Sequence, residues 1–192
     1  PDLDDRGREQ AQAMAEKVTG LYKIDALYAS SLKRARQTAG FISEKTGLTP
    51  VIKEDLRELN FGEVEGMTIP EIKTTHPDLF ANWRSFDEPD FAWPGGETKM
   101  VFHTRVDRAI WEVIQAEAGV HENVAIVAHG GSLAGFVCEL LTGQPYMWRE
   151  YLLDNCEYYV VEVNFEQAPI TRENSTLKLV YTGHIVPLAA DR

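Results

Sequence analysis

The segment 123–136 reads NVAIVAHGGSLAGF. Its first half is a continuous apolar run, which is typical of a strand buried on both faces of a parallel sheet. The run ends at His129, two glycines follow, and apolar residues then recur at helical spacing. In an open α/β sheet, ligands bind beyond the carboxyl ends of the strands, where loops lead into helices. His129 is therefore either a core histidine that ends a strand or a functional group at the mouth of the sheet.

Helix and strand patterns alternate along the rest of the chain. Helical spacing of apolar residues appears in segments 11–18, 35–42 and 102–114, and short apolar runs at 24–30 and 49–54 are typical of strands. The late runs EYYVVEVNF and TLKLVYTG alternate as half-buried strands do. This order predicts a three-layer α/β/α sandwich with a mostly parallel central sheet. No segment has the composition of a linker, so residues 1–192 are predicted to form one domain.

Composition narrows the range of partners and compartments. The chain of 192 residues carries a formal charge of −11, which disfavours a nucleic-acid partner. No apolar run is long enough to cross a bilayer, so we expect no membrane partner. The two cysteines, Cys138 and Cys156, lie in apolar surroundings and are expected to be free thiols of a cytoplasmic protein. The alternating strand TLKLVYTG could form a sheet edge that pairs with a second copy of the chain, so a homodimer is a possible assembly.

Basic residues crowd the start of the second predicted helix. The segment 29–39 reads ASSLKRARQTA, with Lys33, Arg34 and Arg36 in the first turn. Positive charge is unfavourable at a helix amino terminus, unless it serves an anion. A guanidinium can hold a phosphate through two parallel hydrogen bonds. A solvated charged face is the alternative explanation.

Three glutamates lie among glycines in the segment LRELNFGEVEGMT at 56–68. A carboxyl group that protonates a leaving alkoxide needs a pKa raised by burial or by neighbouring charges. Glu58, Glu63 and Glu65 are candidates, and ordinary solvated loop acids are the alternative.

Four motifs occur in a fixed order: SSLKRARQTA at 30–39, LRELNFGEVEG at 56–66, PGGE at 94–97 and AHGG at 128–131. This series closely resembles the histidine phosphatase superfamily, which has the phosphoglycerate mutase-like fold. The resemblance begins at DDRGREQA near the amino terminus and covers most of the chain.

The resemblance implies roles for individual residues. Arg34 matches the phosphate-binding arginine, and His129 matches the second histidine, which hydrogen-bonds the transferring phosphoryl group. Glu58 matches the proton donor to the leaving oxygen, which later acts as the base for water. Gly130 could add a backbone N–H to the phosphate, as helix-terminus physics suggests. No metal and no diffusible cofactor are expected, and the partner is a small phosphorylated substrate.

The chain departs from the family at its central feature. The family has an Arg-His-Gly tripeptide after its first strand, whose histidine becomes phosphorylated, and this sequence has none. We expect that the first strand and its loop, about 10–30 residues, are missing from the sequence, and that their loss would leave a slot in the sheet. A shortened chain and a pseudoenzyme are the alternatives. The remaining histidines, at positions 76, 103, 121 and 184, are expected to be surface or structural residues.

Three functions follow from these observations. A phosphatase that acts through a phosphohistidine is favoured. A phosphoglycerate-type mutase is the alternative within the same chemistry, but the segment 74–97 is short and acidic, with Arg84 as its one Lys or Arg. A non-catalytic protein that binds a phosphorylated ligand is the third, if the nucleophile is truly absent. Aromatic residues at 86, 91 and 93 are candidates for an apolar lid, with a simple anchoring role as the alternative.

Overall fold

A three-stranded parallel sheet organises the chain. The computed structural model describes residues 1–84, 89–167 and 169–182, with the side chain of Arg84 left out. The strands of this sheet are β1 (Ala26–Ser30), β2 (Val51–Lys53) and β3 (Val124–Val127). The central strand, β1, is buried along almost its whole length. It pairs in parallel with β2 on one side and with β3 on the other.

Helices cover both faces of this sheet, because its apolar residues alternate between the faces. Leu27 and Ala29 pack with residues of the first two helices into one core cluster. Ile126 and Ala128 point the other way, into a second cluster built by the long fifth helix and the sixth. The predicted three-layer α/β arrangement with a parallel central sheet is therefore confirmed. The helices are α1 (Asp5–Leu21), α2 (Lys33–Thr46), α3 (Ile69–Thr75), α4 (Pro77–Arg84), α5 (Lys99–Glu117) and α6 (Gly130–Thr142).

The two late strands form a sheet of their own. Strands β4 (Tyr159–Phe165) and β5 (Ser175–Thr182) pair antiparallel and share no hydrogen-bonded ladder with the central sheet among the described residues. Their inward residues, among them Tyr159 and Leu177, pack against the α5–α6 cluster. One buried and one solvated face is what their alternating sequence predicts.

The missing strand stays a prediction, because β3 is an edge of the central sheet and forms no ladder with β4 among the described residues. Strands β1 and β3 are direct neighbours, paired from Ala26 with Val124 to Ala29 with Val127. This pairing satisfies the backbone groups on one side of β3, and its other side has no ladder partner among the described residues. The pairing also brings the carboxyl ends of the two strands side by side.

Helix ends follow the sequence signals with one exception. The sequence TIPE at 68–71 predicts a capping box with a proline in the first turn, and Thr68 and Glu71 form that box at the start of α3. A glycine after the second helical pattern predicts its end, and Gly47 ends α2 in the left-handed conformation with φ of 75°. Gly20 follows the apolar pattern of segment 11–18, and its residue type predicts a helix end there, but it lies within α1, which continues to Leu21. Within the described part of the chain, no helix is long and apolar enough to span a membrane.

Candidate active site

The carboxyl ends of β1 and β3 place a serine and a histidine in contact. Ser30 is the last residue of β1 and is fully buried, and His129 immediately precedes α6 and is 7% exposed. The Nε2 atom of His129 lies 2.8 Å from Ser30 Oγ. Because Ser30 Oγ also accepts the backbone N–H of Leu32, its own proton is available for the imidazole. Ser30 is thus a partner of His129 rather than the helix cap that its residue type suggests.

The environment of His129 favours the neutral ring. Burial, and then the positive charges of Arg34, Arg105 and Arg57, lowers the pKa of His129 to about 3. The His129 ring is therefore neutral at neutral pH, and the positive charge beside it belongs to Arg34. A neutral imidazole can still donate one hydrogen bond to a phosphoryl oxygen.

Glu58 reaches this site from the loop that follows β2. Its Oε2 accepts the backbone N–H of Gly131, in the first turn of α6, at 2.9 Å. Its Oε1 accepts the backbone N–H of Leu59, also at 2.9 Å. Burial raises the pKa of Glu58, and these two amides with the charges of Arg34 and Arg105 oppose that rise. A carboxyl group with a raised pKa has the property that a general acid requires.

Gly131 is required for the close approach of Glu58. A Cβ atom at position 131 would lie 2.5 Å from Glu58 Oε1, inside the distance that real contacts allow. The second glycine of the AHGG motif therefore makes room for a carboxylate of the site. Sequence reasoning assigned a ligand role to Gly130 and gave none to Gly131.

Arg34 supplies a positive charge near both groups. It lies in the first turn of α2, and its charge lowers the pKa of Glu58 and of His129. Its guanidinium makes no hydrogen bond or ion pair with any described side chain. The structure thus brings Arg34, Glu58 and His129 to one edge of the sheet, with the guanidinium available for an anion.

A second arginine, which sequence reasoning missed, fixes the backbone that carries Glu58. Arg105 on α5 donates to the carbonyls of Asp55 at 2.8 Å, Arg57 at 2.7 Å and Glu58 at 3.1 Å. Its Nε and Nη2 atoms also bind the two carboxylate oxygens of Glu97, at 3.0 and 2.5 Å. Glu97 closes the PGGE motif, and its Oε1 accepts the amide of Asn60. The glutamate of this motif was the available signal, but its arginine partner lies eight positions away in a helix.

A cavity of about 270 Å³ opens beside Glu58 and the amino end of α6. His103, predicted to be a surface or structural residue, is 4% exposed and lines this cavity. Trp93 and Phe91 of the expected lid are buried in an aromatic cluster that packs against Trp83 on the cavity wall. Phe86 and His184 lie outside the described residues. Lining residues of the cavity are Glu58, Leu59, Phe61, Trp83, Lys99, Phe102, His103, Gly130, Gly131, Trp148, Leu152, Leu153 and Asn155.

The described residues contain no cluster of side chains suited to bind a metal ion. No group of three or more His, Cys, Asp or Glu side chains is placed there to hold an ion. The expectation that no cofactor takes part stays a prediction.

A buried carboxyl group, a histidine and an available guanidinium lie together at the end of a parallel sheet, and phosphoryl transfer uses groups of these kinds. Comparison with known proteins agrees with this chemistry. The model of the histidine phosphatase superfamily (branch 1) matches residues 1–176, and the chain belongs to that superfamily.

Several of the named relatives are phosphatases. Phosphoserine phosphatase 1 of Hydrogenobacter thermophilus is 31% identical over 187 residues, 96% of this chain and 83% of the relative. Glucosyl-3-phosphoglycerate phosphatase of Mycolicibacterium vanbaalenii is 33% identical over 145 residues, 73% of this chain and 63% of the relative. A mycobacterial glucosyl-3-phosphoglycerate phosphatase, solved with inorganic phosphate, superposes with a TM-score of 0.79 at 26% identity, over 95% of this chain and 87% of that one. The predicted class, a phosphoric monoester hydrolase of this superfamily, is confirmed.

Proposed function

We propose that this chain hydrolyses a small phosphomonoester through a phosphohistidine intermediate, and that Arg34, Glu58 and His129 bind the phosphoryl group and transfer the proton. The observation that carries the proposal is the meeting of Arg34, Glu58 and His129 at one sheet edge. Arg34 binds two phosphoryl oxygens, and His129 donates to a third through the ring nitrogen that carries its proton. Two donors and one positive charge around the phosphoryl group suit a transition state whose charge lies on its equatorial oxygens.

Glu58 serves both steps of the reaction. In the first, the phosphorus–oxygen bond of the ester breaks, the phosphoryl group passes to the nucleophilic imidazole, and Glu58 gives its proton to the leaving alkoxide. In the second, water attacks the phosphohistidine while the Glu58 carboxylate takes up a proton of that water. The nucleophile implied by the superfamily belongs to an Arg-His-Gly tripeptide that this sequence does not contain.

The test uses the product of the complete gene. Hydrolysis of p-nitrophenyl phosphate is measured with and without EDTA, and the enzyme is quenched during turnover to detect an acid-labile phosphoryl adduct. We expect turnover that persists in EDTA and an adduct that Arg34→Ala and His129→Ala diminish. Loss of turnover on chelation would contradict the histidine mechanism. Phosphate binding without turnover would support the alternative of a binding protein.

Mutase activity is the second candidate, and the sequence of segment 74–97 argues against it. That segment is acidic and has one Lys or Arg for a second acidic group of the substrate. Exchange of label between 2- and 3-phosphoglycerate, measured in the same preparation, separates the two activities. We expect exchange far slower than hydrolysis.

Substrate and setting complete the proposal. O-Phosphoserine is the first compound to assay, followed by glucosyl-3-phosphoglycerate, because relatives are named for these esters. The free thiols Cys138 and Cys156 support a cytoplasmic location. The charge of −11 supports the absence of a nucleic-acid partner. A homodimer and a single domain over 1–192 also stay proposals.

A further inference from the structure

The cavity beside Glu58 carries polar groups that the phosphoryl chemistry does not use. Glu58, Gly130 and Gly131 form the end next to the site, and Trp83, Lys99 and His103 lie elsewhere on its wall. An ester that places its phosphoryl group at Arg34 and its leaving oxygen at Glu58 would extend its alcohol into this space. The groups on the wall therefore face the alcohol half of the substrate.

Two ring nitrogens on this wall are buried without a partner. The Nε2 atom of His103 and the Nε1 atom of Trp83 form no hydrogen bond with any described residue. The Nδ1–Cε1 edge of His103 faces α6 at Gly135, where an added Cβ would come within 2.3 Å of Nδ1, so Nε2 is the nitrogen left for a ligand. Buried polar atoms in native proteins are nearly always hydrogen-bonded, and two exceptions on one cavity indicate an absent partner.

Both groups are held in place by their neighbours. The Trp83 indole lies under the guanidinium of Arg149, 4.4 Å from its ring centroid, and the Trp83 carbonyl accepts from Arg149 Nη2 at 2.8 Å. The His103 ring packs between Phe102 and Tyr146, with ring centroids 4.8 and 6.1 Å away. Fixed donors of this kind lose little entropy on binding a ligand.

The cavity wall carries hydrogen-bond donors and positive charge, which favour a ligand group that accepts hydrogen bonds. An indole N–H can only donate, and a neutral imidazole presents one N–H. Burial and the charges of Lys99 and Arg105 lower the pKa of His103 to about 4, so its ring is neutral at physiological pH. Lys99 is 4% exposed and adds positive charge to the same wall. Donors and positive charge together match a carboxylate.

We propose that Trp83, His103 and Lys99 form a subsite for a carboxylate on the alcohol half of the substrate. The enzyme would thus prefer phosphomonoesters of hydroxy acids over esters of neutral or cationic alcohols. This inference rests on the proposed function, because it takes Glu58 as the point where the leaving oxygen lies.

The experiment measures kcat/KM for two pairs of esters that differ in the carboxylate: O-phosphoserine with O-phosphoethanolamine, and 3-phosphoglycerate with glycerol phosphate. The variants are Trp83→Phe and His103→Phe, which keep an aromatic ring and remove the N–H. Trp93→Phe is the matched control, since Trp93 Nε1 is also buried without a partner but Trp93 does not line the cavity. Phenylalanine keeps an aromatic ring at position 93, where the native ring packs against Trp83 with centroids 5.9 Å apart.

We expect the wild-type protein to favour the carboxylate member of at least one pair. Trp83→Phe and His103→Phe should each lower that preference about tenfold, mainly through KM, whereas Trp93→Phe should leave it unchanged. Equal kcat/KM within both pairs, or an equal effect of all three variants, would overturn the subsite and leave the proposed hydrolysis intact. Failure of the wild-type protein to hydrolyse any of the four esters or p-nitrophenyl phosphate would instead refute the proposed function.

Discussion

Replacing Gly131 by alanine tests how tightly the site positions Glu58. The added Cβ would lie 2.5 Å from Glu58 Oε1, whereas ordinary contacts begin at 3.4 Å, so the carboxylate must move by about 0.9 Å. That movement also breaks or stretches the 2.9 Å hydrogen bond from the Gly131 amide. A misplacement of about 1 Å in a reacting group costs on the order of 100-fold in rate, or about 2.7 kcal/mol of activation free energy.

Stability should change much less than activity in this variant. The atom that the new methyl group meets is the end of a flexible side chain, which can turn away, and alanine favours the helix more than glycine does. We therefore expect kcat to fall about 100-fold, with a change of less than about 1 kcal/mol in the free energy of unfolding. Steady-state hydrolysis of O-phosphoserine and urea denaturation of the same preparation measure the two quantities.

Gly40→Ala is the matched control, because Gly40 lies in α2 and has open space around its Cβ position. It should raise the free energy of unfolding by about 0.5–1 kcal/mol and leave kcat unchanged. A Gly131→Ala protein with kcat within threefold of the wild type would refute the reasoning. So would a loss of activity that simply follows a loss of folded protein.

Three further changes probe other parts of the site. Arg34→Ala should lower kcat/KM by more than about tenfold. Arg34→Lys should recover only part of the lost kcat/KM, because an ammonium cannot bind phosphate through two parallel hydrogen bonds. Full recovery would argue against a bidentate contact. Arg105→Met should lower the free energy of unfolding in urea by about 3 kcal/mol, because it leaves the carboxylate of Glu97 unpaired. Adding Glu97→Gln to that variant should restore part of the lost stability. If the two substitutions lower the free energy of unfolding additively, the pairing would be contradicted. His103→Phe should reduce the loss of stability between pH 7 and pH 4 by on the order of 3 kcal/mol. The pKa of His103 is lower in the folded state than in the unfolded state. The stability that the neutral His103 contributes is therefore fully present above the unfolded pKa and is lost as the pH falls towards the folded pKa. If the free energy of unfolding of His103→Phe depended on pH as that of the wild type does, this effect of burial would be refuted.

The sequence predicted most of what is local and periodic. The strand before His129, the capping box at Thr68 and the left-handed end of α2 at Gly47 all have short-range signals, and each is confirmed. The predicted full burial of that strand is wrong: all four residues of β3 are only partly buried, because β3 is an edge of its sheet among the described residues. The direct pairing of β1 with β3 had no such signal, because strand order depends on contacts between residues about 100 positions apart. The same limit hid the contact between Ser30 and His129, which lie 99 positions apart.

In the candidate site too, the sequence indicates which residue types take part but not how they are arranged in space. Arg34, Glu58 and His129 could be identified from motifs, but their mutual proximity could not. Arg105 was invisible because its role consists of bonds to carbonyls of a distant loop. His103 was assigned to a helix without its neighbours, since only the fold shows that its Nε2 has no partner.

The most direct test of the central claim is the dependence of Glu58→Gln on the leaving group. If Glu58 protonates the leaving oxygen, the variant should lose about 100-fold or more of kcat/KM for an alkyl ester such as O-phosphoserine. The loss for p-nitrophenyl phosphate should be at least about tenfold smaller, because its stable phenolate leaves without a proton. Equal losses for the two esters would contradict the role of Glu58 as the general acid.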